Sequence, residues 1–228
     1  DRYLSPYQLV DQLSDVMTGS DVLVPASSGS GQFVPMETFR STTGQRVVTN
    51  KGLASMGYGL AAAIGASAGT NSRVVLVEGD GSFSQNIQEL GTLAVHGWPV
   101  KIFLLDNDGY ASIRTTQRNY FNGAYLGCDS TTGLGFPDWH VLAQSFGVPS
   151  IDVGPNGLQV EAARKLFDQP GPALFVVDVD PEQTYFPKVT STVTEDGSMK
   201  SNPLHKMSPP LPEDVFRAVL AFRHNGES

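Results

Sequence analysis

Short, continuously apolar runs alternate along this chain with stretches whose apolar residues recur at helical spacing. Strands are predicted at residues 21–27, 73–78, 100–106, 150–153 and 173–180, from runs such as "RVVLVE" and "VKIFLLD". Strands that lack polar alternation are typical of a parallel sheet covered by helices on both faces. The pattern therefore predicts a doubly wound α/β domain with a mainly parallel sheet.

Helices are predicted between these strands, and a last one follows them. They cover "SPYQLVDQLSDVM" near the start, residues 54–69, 82–96, about 137–146 and 157–168, and "PEDVFRAVLAFR" near the end. In the helix predicted at 82–96, apolar residues from Phe83 to Ala94 share one face, and Gly97 is expected to end it. "SGSGQF" (28–33) is predicted as a small-residue loop, and "VVTN" is a candidate short strand.

Composition changes after the last predicted strand. Residues 181–212 are polar and interrupted by prolines, without a regular period. We therefore predict an α/β domain at 1–180 and, at 181–228, an irregular tail whose final helix packs on that domain. The chain begins with Asp1 rather than Met, so it is expected to be either a piece of a longer protein or a chain trimmed at its start.

Charge and cysteine content narrow the function classes. A net charge of −8 argues against nucleic acid or an anionic membrane surface as a partner. The single Cys128 cannot form an internal disulfide, which favours a reducing, cytoplasmic location. No apolar run reaches the roughly 18 residues that a membrane span needs, and the first residues do not resemble a signal peptide.

The residues best suited to chemistry follow two predicted strands. Asp80 lies between Gly79 and Gly81, and 24 residues separate this Gly-Asp-Gly from "DNDG", which contains Asn107 and Gly109. In doubly wound sheets, ligands bind at the carboxyl ends of the strands, so these two strand ends are expected to face one cleft. A carboxylate, an amide oxygen and a backbone carbonyl together suit Mg²⁺ or Ca²⁺. The N–H groups of Gly81 and Ser82 open a predicted helix, where phosphate binds readily.

Gly-Asp-Gly followed at this distance by Asn-Asn is the motif of thiamine diphosphate (ThDP) enzymes, and the chain resembles their pyrophosphate-binding domain. The likeness to the acetolactate synthase and pyruvate decarboxylase branch extends through "NKGLASMGYGLAAAIGA", "GDGSFSQNIQELGTL" and "LLDNDGYASIRTTQ". It implies that Asp80, Asn107 and the Gly109 carbonyl bind Mg²⁺, which anchors the diphosphate. Asp106 replaces the first Asn of the motif, and the second, which is the ligand, is retained.

The resemblance also assigns residues to the cofactor. "GSGQF" resembles the family's Gly-Gln-His segment, so Gly31 and Gln32 are expected at the diphosphate, although Phe33 stands where acetolactate synthases have His. Met56 resembles the bulky residue that holds the cofactor in its V conformation, and the Ala54 carbonyl would accept from the 4′-amino group. The residues assigned to cofactor contact, other than these two and the metal ligands, are Gly31, Gln32, Gly79, Gly81, Ser82 and Tyr110.

Other interpretations of the same residues stand beside these. Viewed alone, Met56 is more often a core residue than a cofactor contact, and Gln32 is equally well an ordinary loop residue. Arg114 and Gln117 follow the metal loop and could face substrate, but exposed surface is the simpler expectation. The chain's histidines show no spacing typical of metal ligands, and His96 is expected near a helix C-terminus.

The resemblance implies an enzyme that cleaves a 2-oxo acid beside its carbonyl, with ThDP as electron sink. Its pyrimidine-binding domain, which carries the activating Glu in this family, has no counterpart in a chain that holds one α/β unit. We therefore expect a fragment or a subunit of a split enzyme, inactive alone, that works with the missing half as a homodimer or homotetramer. Acetolactate synthesis, simple decarboxylation and another carboligation all stay open, although preference for 2-oxobutyrate is disfavoured by Thr116, where such synthases carry Trp.

Two hypotheses from other classes remain. A nicotinamide oxidoreductase would need a GxGxxG turn after the first strand, which the sequence lacks. A non-catalytic assembly module could use the Ala/Gly-rich helix for dimerisation, yet it would have no need of the three suitable metal ligands.

Overall fold

Six parallel strands form a single sheet in the computed structural model, which describes residues 2–27 and 29–224. The strands are β1 (Val22–Pro25), β2 (Arg46–Val47), β3 (Val74–Gly79), β4 (Val100–Asp106), β5 (Ser150–Val153) and β6 (Ala173–Asp178). The helices among them are α1 (Pro6–Val16), α2 (Gly29–Thr38), α3 (Tyr58–Thr70), α4 (Asp80–Phe83), α5 (Glu89–His96), α6 (Ala111–Tyr120), α7 (Trp139–Ser145) and α8 (Glu161–Asp168). The predicted fold class is confirmed.

The sheet has the order β2-β1-β3-β4-β6-β5, and each neighbouring pair is parallel. Because side chains alternate along a strand, each strand supplies both faces of the sheet. On β3, for example, Leu76 packs with residues of α3, α5 and α7, whereas Val75 and Val77 pack with α1 and α8. The continuously apolar strands of the sequence therefore reflect burial on two sides, with β3 and β4 at the centre.

The helix predicted at 82–96 is interrupted. α4 ends at Phe83 and α5 begins only at Glu89, and turns connect them. Within these turns the Asn86 side-chain amide donates to the Gly57 carbonyl at 3.1 Å, a tertiary contact that the helical spacing does not reveal. The end of α5 agrees with the prediction, since Gly97 adopts the left-handed conformation after the last turn.

The predicted loop "SGSGQF" is instead the start of α2; its first residue, Ser28, lies outside the described residues. Its small side chains reflect close packing rather than irregular backbone. A Cβ on Gly31 would lie 2.6 Å from the Ala26 carbonyl oxygen, so the helix packs directly against the end of β1. α6 was not predicted, because it carries no apolar stripe, and Arg114 is its one buried residue.

The chain divides into two compact units, Asp1–Gln183 and Thr184–Ser228. The second contains the strand pairs β7 (Lys188–Val189) with β10 (Met207–Ser208) and β8 (Ser191–Val193) with β9 (Met199–Ser201), then α9 (Glu213–His224). These short antiparallel pairs correct the expectation of a wholly irregular tail, and the final helix agrees with the sequence. The packing of the tail on the domain stays a prediction.

Asp1 and residues 225–228 also lie outside the described residues. Across the part that is described, the helices are all too short or too polar to cross a lipid bilayer.

Candidate functional site

A cleft of about 170 Å³ lies at the carboxyl ends of β1, β3 and β4. Strand ends meet here because parallel neighbours finish at the same edge of a sheet. Ten of the eleven residues that the sequence assigned to metal, cofactor or cofactor conformation line this cleft: Gly31, Ala54, Met56, Gly79, Asp80, Gly81, Ser82, Asn107, Gly109 and Tyr110. The remaining residue, Gln32, does not.

Asp80 joins the two strand ends. Its side chain is buried, and its Oδ2 atom accepts hydrogen bonds from the backbone N–H groups of Asn107 at 3.1 Å and Gly109 at 2.9 Å. The Oδ1 atom accepts from the Gly81 N–H at 2.6 Å. The structure thus brings the three predicted metal ligands together, and Asp80 fixes the loop that holds the other two.

Electrostatics at this edge favour a cation. The Oδ1 atom of Asn107 is buried and has no hydrogen-bond partner among the described residues, which is costly unless something binds it. Burial raises the pKa of Asp80, and the nearby carboxylate of Asp106 raises it further. A divalent cation would satisfy the amide oxygen and offset the crowding of two carboxylates. The carboxylate, amide and carbonyl oxygens present fit the hard-oxygen preference of Mg²⁺.

Gly109 has a backbone that other residues rarely adopt. Its φ is +132°, and a Cβ there would lie 2.1 Å from the carbonyl oxygen of Cys128. Glycine is therefore required at this position both for the conformation and for the close approach of the Cys128 segment. The preceding Asp108 is also left-handed, with φ +59°. The sequence shows the glycine of "DNDG" but not the neighbouring segment that makes it necessary.

A buried glutamate supports the residues that line the cleft, and the sequence analysis did not identify it. Glu78 is fully buried at the end of β3, and burial raises its pKa to about 7. Its Oε1 atom accepts from the Ser82 hydroxyl at 2.5 Å, and Ser82 Oγ accepts from the Gly57 N–H at 3.0 Å. This chain of bonds ties β3 to the segment that carries Met56. An acid at the end of the apolar run "RVVLVE" was the available signal.

Met56 and Tyr110 both approach the Gly81 backbone. A Cβ on Gly81 would lie 2.4 Å from Tyr110 ring atoms, so glycine is required for that ring to approach, and 3.7 Å from Met56 Cε, an ordinary contact. Met56 is 37% exposed, which excludes the alternative of an ordinary core residue within this chain. Ala54 nearby has φ +49°.

The Gln32 side chain contacts other residues of the domain rather than lining the cleft. It is buried, and its side-chain amide donates to Thr49 Oγ1 at 2.9 Å, while that hydroxyl donates to the Pro25 carbonyl at 3.0 Å. These bonds connect α2 to the end of β1, and the diphosphate contact of Gln32 stays a prediction.

Arg114 is buried, contrary to the prediction of a surface residue. Its guanidinium donates to the Asn107 carbonyl at 2.8 Å and lies 3.5 Å from the Asp129 carboxylate. No pattern in the sequence connects Arg114 to Asp129, since their contact depends on how the segment after α6 returns. His96, at the end of α5, stacks on Trp98 and lies outside the cleft lining.

Clusters of three or more His, Cys, Asp or Glu side chains suited to a metal do not occur among the described residues. The proposed ligand set includes an amide and a backbone carbonyl, so it differs in kind from such clusters. An oxygen-rich cleft at a sheet edge, with the Ser82 N–H beside a cation site, is chemically suited to a metal-bound diphosphate.

Comparison with known proteins agrees with this arrangement. Residues 27–177 match the family described as "Thiamine pyrophosphate enzyme, C-terminal TPP binding domain". The chain is 36% identical over 202 residues to acetolactate synthase isozyme 2 large subunit of Escherichia coli, covering 88% of this chain and 35% of that protein. It is 32% identical over 191 residues to chloroplastic acetolactate synthase 1 of Nicotiana tabacum, covering 82% of this chain and 29% of that protein.

This chain therefore spans about a third of the length of these relatives. The match to the family covers both motif-bearing strand ends and most of the sheet. The chain belongs to the thiamine pyrophosphate enzyme family, as a C-terminal TPP-binding domain similar to that of acetolactate synthases.

Proposed function

We propose that this chain is the Mg²⁺- and ThDP-binding half of a 2-oxo acid decarboxylase or carboligase of acetolactate synthase type. The observation that carries the proposal is the unpartnered, buried Oδ1 of Asn107 beside the Asp80 carboxylate, at the cleft of a TPP-binding domain. A buried acceptor of this kind is expected where a ligand completes the structure.

Three residues would hold the cation: Asp80 and Asn107 through side-chain oxygens, and Gly109 through its carbonyl. Backbone around Gly31, Gly79 and Gly81, with Ser82 and Tyr110, would surround the diphosphate. When bound, ThDP supplies an electron sink for breaking the bond between a carbonyl carbon and its carboxylate.

Met56 and Ala54 would set the shape of the bound cofactor. Met56 projects at the cleft with part of its surface exposed, as a residue that supports a ligand requires. The Gly57 N–H donates to Ser82 Oγ, and that hydroxyl donates to Glu78 Oε1, so these bonds hold the segment before α3 that carries Met56. Ala54 offers its backbone carbonyl to the cofactor's amino group.

The missing half would come from a pyrimidine-binding domain or subunit. We propose that the assembled enzyme is a homodimer or homotetramer, that its substrate is a small 2-oxo acid, and that the Glu needed for activation belongs to the partner. The chain's coverage of only about a third of its relatives supports an incomplete catalytic unit. No nucleic acid or membrane is expected in its function.

Calorimetric titration of ThDP into the pure chain tests the binding proposal. ThDP is expected to bind weakly with Mg²⁺ present, and to lose this binding when a chelator replaces Mg²⁺, because Asp80, Asn107 and Gly109 would hold the cation that the negative diphosphate needs at this carboxylate. Thiamine without its diphosphate is the matched control and is expected not to bind. ThDP binding that the chelator leaves unchanged would contradict the proposed metal site.

Activity assays test the proposed incompleteness. The isolated chain is expected to turn over none of a panel of 2-oxo acids, and addition of the missing half is expected to restore turnover. Steady decarboxylation of pyruvate by the isolated chain would refute this part. Assembly without any ThDP affinity would instead favour the non-catalytic module.

A further inference from the structure

Arg114 is a buried cation in the first turn of α6, directly behind the segment Asn107–Gly109, which we call the metal loop. Its side chain is only 7% exposed. One terminal nitrogen, Nη2, donates to the Asn107 carbonyl at 2.8 Å, and the other, Nη1, donates to the Asp108 carbonyl at 3.4 Å. The guanidinium therefore contacts the main chain of the loop and leaves the side-chain oxygen of Asn107 untouched.

Asp129 fixes the guanidinium from its other side. Its Oδ2 atom lies 3.5 Å from Arg114 Nη1. Its Oδ1 atom accepts from the hydroxyls of Thr131 at 2.8 Å and Thr132 at 2.9 Å, and from the Thr131 N–H at 3.1 Å. A carboxylate held by three donors has one orientation, so the cation that it faces is held in place as well.

The same segment also binds the metal loop directly. Gly109 forms an isolated β-bridge with Asp129, and the Tyr110 N–H donates to the Cys128 carbonyl at 2.8 Å. The Ser130 hydroxyl donates to the Asp108 carboxylate at 2.8 Å. The loop is thus held between Asp80 on one side and the 128–130 segment on the other.

Such restraint is needed because Asp108 has the left-handed backbone that residues other than glycine rarely adopt, with φ +59°. Residues in sparsely populated conformations persist only where surrounding contacts over-determine them. A planar guanidinium holds its donors in a fixed fork, so it fixes the relative positions of two adjacent carbonyls more rigidly than an ammonium on a flexible stem does.

We propose that Arg114, oriented by Asp129, is the positioning residue that holds the metal loop in the conformation that binds the divalent cation. This inference rests on the proposed Mg²⁺ and ThDP function and deepens it. Arg114 touches neither metal nor cofactor and acts through the backbone of Asn107 and Asp108.

Whether Mg²⁺ affinity rises or falls when Arg114 is replaced shows whether Arg114 acts through its position or through its charge. A buried positive charge close to a divalent cation repels it, so removal of Arg114 would tighten Mg²⁺ binding if charge alone mattered. A positioning residue has the opposite effect, because the loop relaxes when its carbonyls lose their donors. Arg114→Lys keeps the positive charge but lacks the paired donors of the guanidinium. If Arg114 acts by positioning the loop, this variant is expected to lose Mg²⁺ affinity as Arg114→Met does.

The experiment titrates Mg²⁺ calorimetrically into the full chain with excess ThDP, for wild type, Arg114→Met, Arg114→Lys and Arg118→Met. Arg118 is the matched control, because it lies one turn further along α6 and pairs with the exposed Glu182. Mg²⁺ affinity is expected to fall about 10- to 100-fold in both Arg114 variants and less than about 2-fold in the control, as for other supporting residues around a metal.

The resonance spectrum of bound Mn²⁺ and a double-mutant cycle of Arg114 with Asp129 complete the test. Electron paramagnetic resonance of bound Mn²⁺ is expected to broaden or change its splitting in Arg114→Met, since the ligand geometry changes. Asp129→Asn is expected to weaken Mg²⁺ binding in wild type and to add little in the Arg114→Met background. Full additivity of the two substitutions would overturn the proposed orientation of Arg114 by Asp129.

The outcomes separate the two proposals. Wild type that binds no Mg²⁺ with ThDP overturns the proposed function and this inference with it. Wild-type binding that stays unchanged or tightens in a folded Arg114→Met protein overturns the inference alone. If thermal unfolding without metal shows that Arg114→Met does not fold, Arg114→Lys decides, and unchanged affinity in that variant overturns the inference.

Discussion

The two ends of strand β4 bury polar groups in opposite ways. At the amino end, Lys101 is fully buried and its ammonium donates to the carbonyls of Leu166 at 3.4 Å, Gln169 at 2.7 Å and Gly171 at 2.8 Å. An ammonium has three protons, and each has an acceptor here. At the carboxyl end, Asn107 is buried with its Oδ1 atom unpartnered among the described residues.

The satisfied Lys101 ammonium indicates a structural role, whereas the unpartnered Asn107 oxygen indicates a binding site. A buried polar group with all its partners stabilises the fold around it, whereas one left without partners costs about 1–3 kcal/mol. Glu78 Oε2 and Arg114 Nε are also buried and unpartnered in the described part of the chain, and both lie next to the metal loop or its support. Lys101 therefore holds α8 to the sheet, and the opposite edge is arranged for a ligand.

The largest expected effect is loss of cofactor binding in Asp80→Asn. The substitution removes the charge proposed to bind Mg²⁺ and places an NH₂ group among three N–H donors. Mg²⁺-dependent ThDP affinity is expected to fall by more than about 100-fold, beyond the loss that supporting residues around a metal produce. Isothermal calorimetry measures it.

Asp152→Asn is the matched control for this substitution. It also removes one negative charge, but from a side chain that is 81% exposed on β5. Unchanged ThDP affinity is expected. Equal losses in both variants would mean that overall charge, rather than the metal loop, governs binding.

A substitution at the amino end of β4 is expected to lower the stability of the fold without lowering cofactor affinity. Lys101→Met leaves the carbonyls of Gln169 and Gly171 without their donor, which is expected to lower the free energy of unfolding by about 2–4 kcal/mol. Mg²⁺ and ThDP affinities are expected to stay within about 2-fold of wild type, since affinity changes of that size correspond to less than about 0.5 kcal/mol. Urea unfolding and calorimetry measure the two quantities.

Lys165→Met serves as the control, because Lys165 is exposed on α8. It is expected to change stability by no more than about 0.5 kcal/mol. A large loss of cofactor binding in Lys101→Met would remove the distinction between the two ends of β4.

Gly109→Ala tests whether the metal loop depends on the close approach of the Cys128 segment. The new Cβ would lie 2.1 Å from the Cys128 carbonyl oxygen, so the loop must shift. Mg²⁺ affinity is expected to fall about 10-fold or more. Gly123→Ala is the control, because Gly123 also has positive φ, +72°, but has open space where a Cβ would lie.

Gly123→Ala is expected to cost about 1 kcal/mol of stability and no Mg²⁺ affinity, since only the conformational penalty applies. If the two alanine variants lose equal affinity, backbone strain rather than the packed Cys128 segment controls the loop.

The sequence predicts the sheet well because its determinants are local. The apolar run at residues 102–105 within β4 needs no knowledge of its neighbours to be identified as part of a buried strand. Asp80, Asn107 and Gly109 were likewise found from polar residues placed at strand ends. The remaining site assignments came from resemblance to ThDP enzymes, and the family itself is confirmed by the comparison.

What the sequence did not reveal depends on contacts between distant segments. Arg114 looked like a surface residue because it is charged and α6 carries no apolar stripe, and its burial follows from the return of the Asp129 segment. The turns between α4 and α5 place the Asn86 side-chain amide at the Gly57 carbonyl, a contact with a distant segment. Helical periodicity describes one face of one element, so it cannot report a bond to another element.

The smallest expected effect concerns Asp106, the one position where the motif has Asp in place of Asn. Its carboxylate accepts from Trp139 Nε1 at 3.0 Å and raises the pKa of Asp80. Asp106→Asn keeps an acceptor for Trp139 and removes one negative charge near the proposed cation. It also replaces the oxygen that accepts from the Asp108 N–H at 3.2 Å with an NH₂ group. Mg²⁺ affinity is expected to fall about 2- to 5-fold, as expected for a charge in a partly solvated position.

Calorimetry of Asp106→Asn beside Asp152→Asn, which removes an equal charge further from the loop, separates the local effect of Asp106 from that of overall charge. A tighter Mg²⁺ site in Asp106→Asn would contradict the view that the second carboxylate helps to attract the cation. It would mean that repulsion between Asp80 and Asp106 disturbs the ligand more than their summed charge helps. The carboxyl end of β4 would then resemble the amino end, with Asp106 retained for its bond to Trp139 rather than for the metal.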